Sequence, residues 1–288
     1  MIQRLLLTFI GRRIIKTAMK KTPIDRIPMW LPEEIGQLCE GAKIYDSSCS
    51  PEARVYFIDG REQMFLKVAK SGSLEKEAQM TEYFNKKGLG ARVLSYISGE
   101  RDIMLTTAVR GEDCTCANYL DDPKRLCDTL AERLHMLHEV NADDCPYKDG
   151  IGEYILSAER NYRSDSYSKE HFPDSFGYRS GDEAYQVLTE GKAMLKNEVL
   201  IHGDYCLPNV MLDGWRFSGF IDLGDSCVSD RHIDLFWGKW SVEFNLMMQG
   251  KMSEGEIKKY GARFLDAYGR DKIEGEKLLV VAAAEVFR

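Results

Sequence analysis

His202-Gly203-Asp204-Tyr205-Cys206-Leu207-Pro208-Asn209, followed by Phe220-Ile221-Asp222, is the stretch on which the reading of this chain turns. It sets a carboxylate, an amide five residues on, and a second carboxylate thirteen residues beyond that amide. Phosphoryl transfer from a nucleotide calls for such groups, because the reaction is mostly positioning and charge neutralisation around Mg²⁺. Asp204 suits the carboxylate that orients an attacking hydroxyl, and Asn209 and Asp222 suit oxygen ligands for a hard cation. An Asx-turn or capping role for Asp204 is the competing reading, and it leaves the spacing unexplained. His202 reads as a brace of the loop, and Asp230 and Asp234 as caps of the following helix that also steady the loop. Val199–Ile201 and Val210–Leu212 read as strands, and Gly214 turns the chain into Phe217–Ile221. A hairpin therefore separates the two proposed ligands.

Working upstream, Lys67 is the polar residue of an apolar strand, Met64-Phe65-Leu66-Lys67-Val68. A buried ammonium is costly unless paired, and Glu77, ten residues on in the next helix, supplies a carboxylate. In kinase-like sites such a pair aims the Lys at the α- and β-phosphates. An edge-strand Lys with its head in water is the bland alternative; the downstream motif tips the balance. Phe65 is open to two roles, core packing and stacking on a purine. The turn Ser47–Ala53, with Ser50 in it, offers small residues where backbone must approach phosphate, although it is not glycine-rich and a plain hairpin competes.

Period-2 patterning marks strands at Lys43–Asp46, Arg54–Ile58, Met64–Ala69, Val93–Ile97 and Ile103–Thr107, with a helix over Leu74–Lys87 closed by Gly88. This predicts a five-stranded antiparallel sheet with one helix over residues 29–105. Residues 106–111 form a hinge, and residues 112–288 a larger, mostly helical lobe. In that lobe Asp122-Pro123 opens a helix with Leu126, Leu130, Leu134 and Leu137 on one face. Further helices are expected at Ile151–Tyr162, Asp182–Leu195, Arg231–Leu246, after the capping box Ser253-x-x-Glu256, and over Glu274–Phe287. Arg163–Gly181 reads as a surface connection. Residues 1–28 stand apart: an apolar run of barely six residues followed by basic ones, too short to span a membrane. A membrane-surface segment and a non-native extension both stay open for it.

With 44% hydrophobic and 30% charged residues, the chain is an ordinary globular sequence. Residues 1–108 carry a net charge of +4 and residues 109–288 a net of −11, together giving −7. Acidity gathered in the C-terminal part suits a cationic small molecule and disfavours nucleic acid, with a merely solubilising surface as the competing reading. The eight cysteines include no C-x-x-C pair and read as reduced thiols of a cytoplasmic protein.

From about Trp30 to Phe287 the chain resembles the aminoglycoside 3′-phosphotransferases, the kanamycin kinases. The stretches that carry the likeness are SPEARVY, MFLKVA, LEKEAQMTEYF, HGDYCLPNVML, FSGFIDLGDSCVSDRHIDL and AAAEVF. The resemblance implies an α+β, protein-kinase-like two-lobed fold that transfers the γ-phosphoryl of ATP or GTP to an aminoglycoside hydroxyl, with Mg²⁺. The chain is expected to be a monomer or weak dimer. Lys67 and Glu77 then match the phosphate-binding pair, Asp204 the catalytic Asp, and Asn209 and Asp222 the Mg²⁺ ligands. Phe65 falls where the family sets an aromatic against the adenine, and Thr106 and Ala108 in the hinge that hydrogen-bonds the base. Glu285 and Phe287 match an acidic-plus-aromatic ending that helps bind the antibiotic. One departure stands out. Three residues after Asp222 the family usually has Arg, and this chain has Asp225, which places an anion where a cation is expected near the substrate. A kinase of the same fold acting on a macrolide or a metabolite is the alternative, as is a nucleotide-binding protein of weak activity.

Overall fold

In Met64-Phe65-Leu66-Lys67-Val68 successive side chains leave the strand on opposite faces. Met64, Leu66 and Val68 join Ile58, Ile103, Leu105 and Ile35 in one buried cluster. The other face, which carries Phe65, Lys67 and Ala69, is where Ala69 packs with Leu74, Ala78 and Met104. This sorting sets the architecture of the sheet-bearing part of the protein, described here from a computed structural model for residues 21–27, 31–49, 51–167 and 176–288.

The described residues divide into two compact units, one of residues 21–117 with 207–225, the other of residues 118–206 with 226–288. The first holds an antiparallel sheet of strands β1 (Thr22–Ile24), β2 (Lys43–Asp46), β3 (Ala53–Asp59), β4 (Gln63–Lys70), β5 (Val93–Ser98) and β6 (Arg101–Thr107). Their order is β1-β2-β3-β4-β6-β5. The five expected strands are present, and a sixth, β1, pairs with β2 at the edge. Three residues with a central Pro carry no alternation to read, and Pro23 is tolerated there because an edge strand needs no N–H from it. A short helix, Glu33–Leu38, also escaped the pattern; it delivers Ile35 into the core at 0% exposure.

The helix Glu75–Lys86 crosses the Lys67 face and ends in a Schellman turn. Gly88 sits at φ +74°, its N–H donates to Asn85 (2.9 Å), and that of Leu89 donates to Phe84 (2.9 Å). Residues 207–225 belong to this unit rather than to the helical one. Strands β9 (Val210–Asp213) and β10 (Arg216–Phe220) form the expected hairpin. Its two-residue loop, Gly214-Trp215, has both φ values positive, 55° and 71°, as a twist-matched hairpin requires. The Phe220 N–H donates to the Leu89 carbonyl at 2.7 Å, and β7 (Glu112–Asp113) adds a third strand along β9. The expected hinge, residues 106–111, accordingly runs inside this unit. Gly111 shows why the close approach holds: at φ +88°, a Cβ there would lie 2.0 Å from the Leu212 carbonyl oxygen.

The second unit is helical, with Pro123–His138, Gly150–Arg163, Gly181–Gly191, Arg231–Gln249, Glu254–Gly269 and Gly275–Glu285. Strand β8 (Val199–Ile201) pairs antiparallel with β11 (Cys227–Ser229). The caps follow the sequence. Asp122 accepts from the Arg125 N–H, and Ser253 and Glu256 form a reciprocal capping box. Leu126, Leu130, Leu134 and Leu137 are all within 1% of full burial. The expected connection over residues 163–181 lies partly outside the described residues. Among the described residues no helix is long and apolar enough to cross a membrane.

A buried polar chain runs through this unit. Arg231 donates to the Tyr268 hydroxyl (3.2 Å), which contacts His138 Nδ1 at 2.8 Å. With its oxygen accepting from Arg231, the phenol proton goes to Nδ1, which leaves Nε2–H to donate to Asp234 at 3.2 Å. Burial pushes the Tyr268 phenol up to about 12, so it keeps that proton. Burial also lowers the His138 pKa, against the opposing pull of Asp234. The folded state thus refuses a proton that the unfolded chain takes up near pH 6.5. Stability from this histidine is present above about pH 6.5 and declines as pH falls below it. The melting temperature should therefore drop between pH 7 and 5.5, a slope that His138→Gln flattens; equal slopes in thermal melts would contradict it.

Candidate active site

In the sheet unit, the residues opposite one another across the strands share a face, so register decides what gathers around Lys67. Val55 and Met104 pair with Lys67 across β3 and β6, and Phe57 and Thr106 pair with Phe65. Val55, Phe65, Lys67, Met104 and Thr106 line one cavity, whose other wall comes from Asn209, Met211, Ile221 and Asp222.

Lys67 is the hub. Its Nζ lies 2.8 and 2.6 Å from the two Glu77 carboxylate oxygens and 2.9 Å from Asp222 Oδ1. The three side chains are 19%, 10% and 28% exposed, so the ions are largely desolvated and their pairing counts for more than on a surface. The helix that carries Glu77 starts without a side-chain cap from its own N-cap residue, Leu74. Asp102 on β6 takes over, accepting from the N–H groups of Gly72 (2.9 Å) and Leu74 (2.8 Å) and from the hydroxyls of Ser98 and Tyr96. Burial works to raise its carboxyl, and these four donors outweigh it and hold the pKa below the usual value. Sequence reading missed Asp102, since only the register of β6 brings it under the helix start.

Asn209 closes the short turn before β9, and Asp222 follows β10. The Ile221 N–H donates to the Asn209 carbonyl at 3.1 Å, which ties the two ends of the hairpin together. Asp222 stands at φ +62°, a left-handed conformation that costs a non-glycine residue about 1–3 kcal/mol and concentrates at functional positions. An amide oxygen and a carboxylate on one cavity wall, beside a lysine, are donors that fit Mg²⁺, which takes one or two protein oxygens and fills its shell from phosphates and water.

Several expected residues sit elsewhere. Ala108 does not line the cavity: its N–H donates to the Gln63 carbonyl at 2.8 Å, and Val109 lines the cavity instead. Ser50 lies outside the described residues, while its neighbours Ser47 and Cys49 line the cavity. Asp225 is partly exposed and away from the lining.

Asp204, Glu285 and Phe287 belong to the helical unit. There Asp234 organises the loop, accepting from the N–H groups of His202 (2.7 Å) and Gly203 (2.8 Å). Gly203 adopts φ +82°, a conformation that favours glycine. Asp204 donates its N–H to His202 Nδ1 (3.2 Å), and its Oδ1 accepts from the Cys206 thiol at 3.3 Å. Glu285 and Phe287 are each 1% exposed. Glu285 Oε1 accepts from Tyr154 (2.9 Å) and Trp237 (3.1 Å), and Phe287 packs among Tyr162, Tyr167 and Tyr185. Spacing could not reveal that this ending folds into the core.

The sheet with its lysine–carboxylate hub, and the helical unit with its braced H-G-D loop, together describe a protein-kinase-like fold and a phosphotransferase. The chain belongs to the phosphotransferase enzyme family, whose profile matches residues 49–275. It is 46% identical over 257 residues to a probable aminoglycoside 3′-phosphotransferase of Lactococcus lactis, covering 89% of this chain and 94% of that one. An aminoglycoside 3′-phosphotransferase of Niallia circulans is 28% identical over 74% of this chain and 79% of its own. Among solved structures, an aminoglycoside-3′-phosphotransferase of type VIII superposes with a TM-score of 0.69 at 23% identity, covering 89% of this chain and 97% of that one. The Streptomyces rimosus enzyme APH(3″)-Id, in complex with ADP and streptomycin, superposes at 0.63 with 21% identity, over 82% and 91%.

Removing the ammonium from the hub leaves two facing carboxylates. Lys67→Met should destabilise by about 3 kcal/mol, and adding Glu77→Met should recover a large part of that. Urea unfolding of the two variants checks it, and an unaltered midpoint in Lys67→Met would refute the hub.

Proposed function

We propose that this enzyme transfers the γ-phosphoryl group of ATP to the 3′-hydroxyl of an aminoglycoside and so confers resistance to it. The observation that carries the reading is the cavity shared by Lys67, Glu77, Asn209 and Asp222. The 46% identity to a protein named for the same reaction supports the substrate class.

In this reading the apolar lining around Phe65, Val109 and Met211 receives the base, and Lys67, aimed by Glu77, meets the phosphates. Asn209 and Asp222 hold Mg²⁺, which when bound neutralises charge on the phosphates. Asp204 accepts a hydrogen bond from the acceptor hydroxyl and orients it. Its carboxylate has no need to be a strong base, because the reaction depends more on alignment than on early deprotonation. Asp234 acts through the loop backbone and is a positioning residue. The net charge of −11 over residues 109–288 favours an acceptor with several ammonium groups. Glu285 and Phe287, buried as they are, support the aromatic wall of that unit rather than offering a surface charge.

Purified protein should consume ATP when kanamycin or neomycin is added and yield a product heavier by one phosphate. Asp204→Ala should lose most turnover, by at least a hundredfold, while ADP binding persists. Unchanged turnover would remove Asp204 from the mechanism, and phosphorylation of a macrolide in preference to any aminoglycoside would replace the acceptor assignment.

Asp225→Arg reads the departure noted in the sequence. If an anion there weakens catalysis, the variant gains kcat with kanamycin, and a loss of kcat would mean that Asp225 serves this enzyme's own acceptor.

A further inference from the structure

Cys206 carries a free thiol, and the reaction proposed above gives it no part. Its backbone and its side chain both turn back to Asp204. The Cys206 N–H donates to the Asp204 carbonyl at 2.7 Å, the hydrogen bond of a γ-turn. The Cys206 thiol donates to Asp204 Oδ1 at 3.3 Å. The thiol is itself held from two sides. Tyr205, the residue between, is 1% exposed and donates its hydroxyl to the Leu130 carbonyl at 2.8 Å. Cys206 also packs against the apolar cluster that contains Ile201, Trp237 and Phe287. Sulfur suits this place because a cysteine packs as a small hydrophobe and still has a proton to donate.

Asp234 fixes the backbone before Asp204 through the His202 and Gly203 N–H groups. That sets where the Asp204 side chain begins, and it leaves the plane of the carboxyl group open, since χ2 of an aspartate is a broad torsion. A donor anchored by packing and aimed at one carboxylate oxygen closes that freedom. We propose that Cys206 is a positioning residue for phosphoryl transfer, its thiol setting the carboxylate plane of Asp204 against which the acceptor hydroxyl is oriented. The contribution is one of alignment, so it shows in kcat rather than in the binding of either substrate.

This inference rests on the reading of Asp204 as the group that orients the hydroxyl, and a double-mutant cycle in the whole chain separates the two. Steady-state turnover with ATP, Mg²⁺ and kanamycin or neomycin is measured for Cys206→Ala, Cys206→Ser, Asp204→Ala and the double variant Cys206→Ala with Asp204→Ala. Calorimetric titration with ADP serves as the control for an intact fold. Cys206→Ala should lower kcat roughly three- to tenfold, while ADP affinity and the acceptor KM stay within about twofold of the intact protein. Cys206→Ser keeps a donor and should return kcat to within about twofold. Once Asp204 is Ala, Cys206→Ala should cost nothing further. An unchanged kcat in Cys206→Ala overturns the inference and leaves Asp204 in its role. A Ser variant as slow as the Ala variant overturns it as well, as does a cost of Cys206→Ala that persists without the Asp204 carboxylate, because the sulfur then acts by packing alone. Unchanged turnover in Asp204→Ala, or no phosphorylation of either aminoglycoside, overturns the proposed function and this inference with it.

Discussion

An ammonium held between two carboxylates is the constraint on which the sheet unit depends. Lys67 Nζ has three carboxylate oxygens within 2.9 Å, and they come from a strand's neighbouring helix and from the turn after a distant hairpin. A desolvated Lys would otherwise lose its proton or leave the core. Held in this way, it ties β4, the Glu75–Lys86 helix and Asp222 to one point. Two carboxylates around one ammonium leave a net charge of −1. An anionic ligand meets that hub favourably only with a further cation, which is the condition that Asn209 and Asp222 are suited to meet. Structure and chemistry therefore lean on the same charge balance.

The supports around the hub are ordered by how local they are. Alternation along β4 decides that Lys67 and Phe65 share a face. Cross-strand register decides that Met104 and Thr106 join them. Asp102 then sets where the helix begins, and hence the height at which Glu77 leaves it. The hairpin fixes Asp222 last, through the Ile221–Asn209 hydrogen bond and a left-handed backbone that only the surrounding contacts hold in place. A defect at any outer level reaches the hub as a displaced carboxylate, and so weakens ion pairing and ligand binding together.

What the sequence disclosed follows the same ordering. Strands with a period of two, helices with marked caps, and the H-G-D-x₄-N spacing were legible because each is written in contiguous residues. The Lys67–Glu77 contact was legible because a strand followed by a helix leaves one simple way for them to meet. Long-range facts were not. The edge strand Thr22–Ile24 has no pattern of its own, and Asp102 gains meaning only from its partners. Ala108 was assigned by position in a hinge, yet whether its N–H is already engaged depends on the pairing with Gln63. Glu285 and Phe287 were assigned by resemblance alone, as an acidic-plus-aromatic ending that helps bind the antibiotic. Their burial is set by Tyr154, Trp237 and the tyrosines that surround them, which come from four other segments.

That burial bears on the proposal that the helical unit takes a cationic acceptor. A carboxylate engaged by a phenol and an indole N–H, as Glu285 is on Oε1, is held rigidly and shielded from water. Exposed acids make and break contacts with an ammonium at little net gain, since both partners are well hydrated. In the proposed reaction, acidic surface side chains of residues 109–288 would steer a polycationic acceptor. Asp204 is held in its own way. Its loop is pinned by Asp234 through two backbone N–H groups, so the carboxylate to which the orienting role is proposed sits on a backbone fixed in advance.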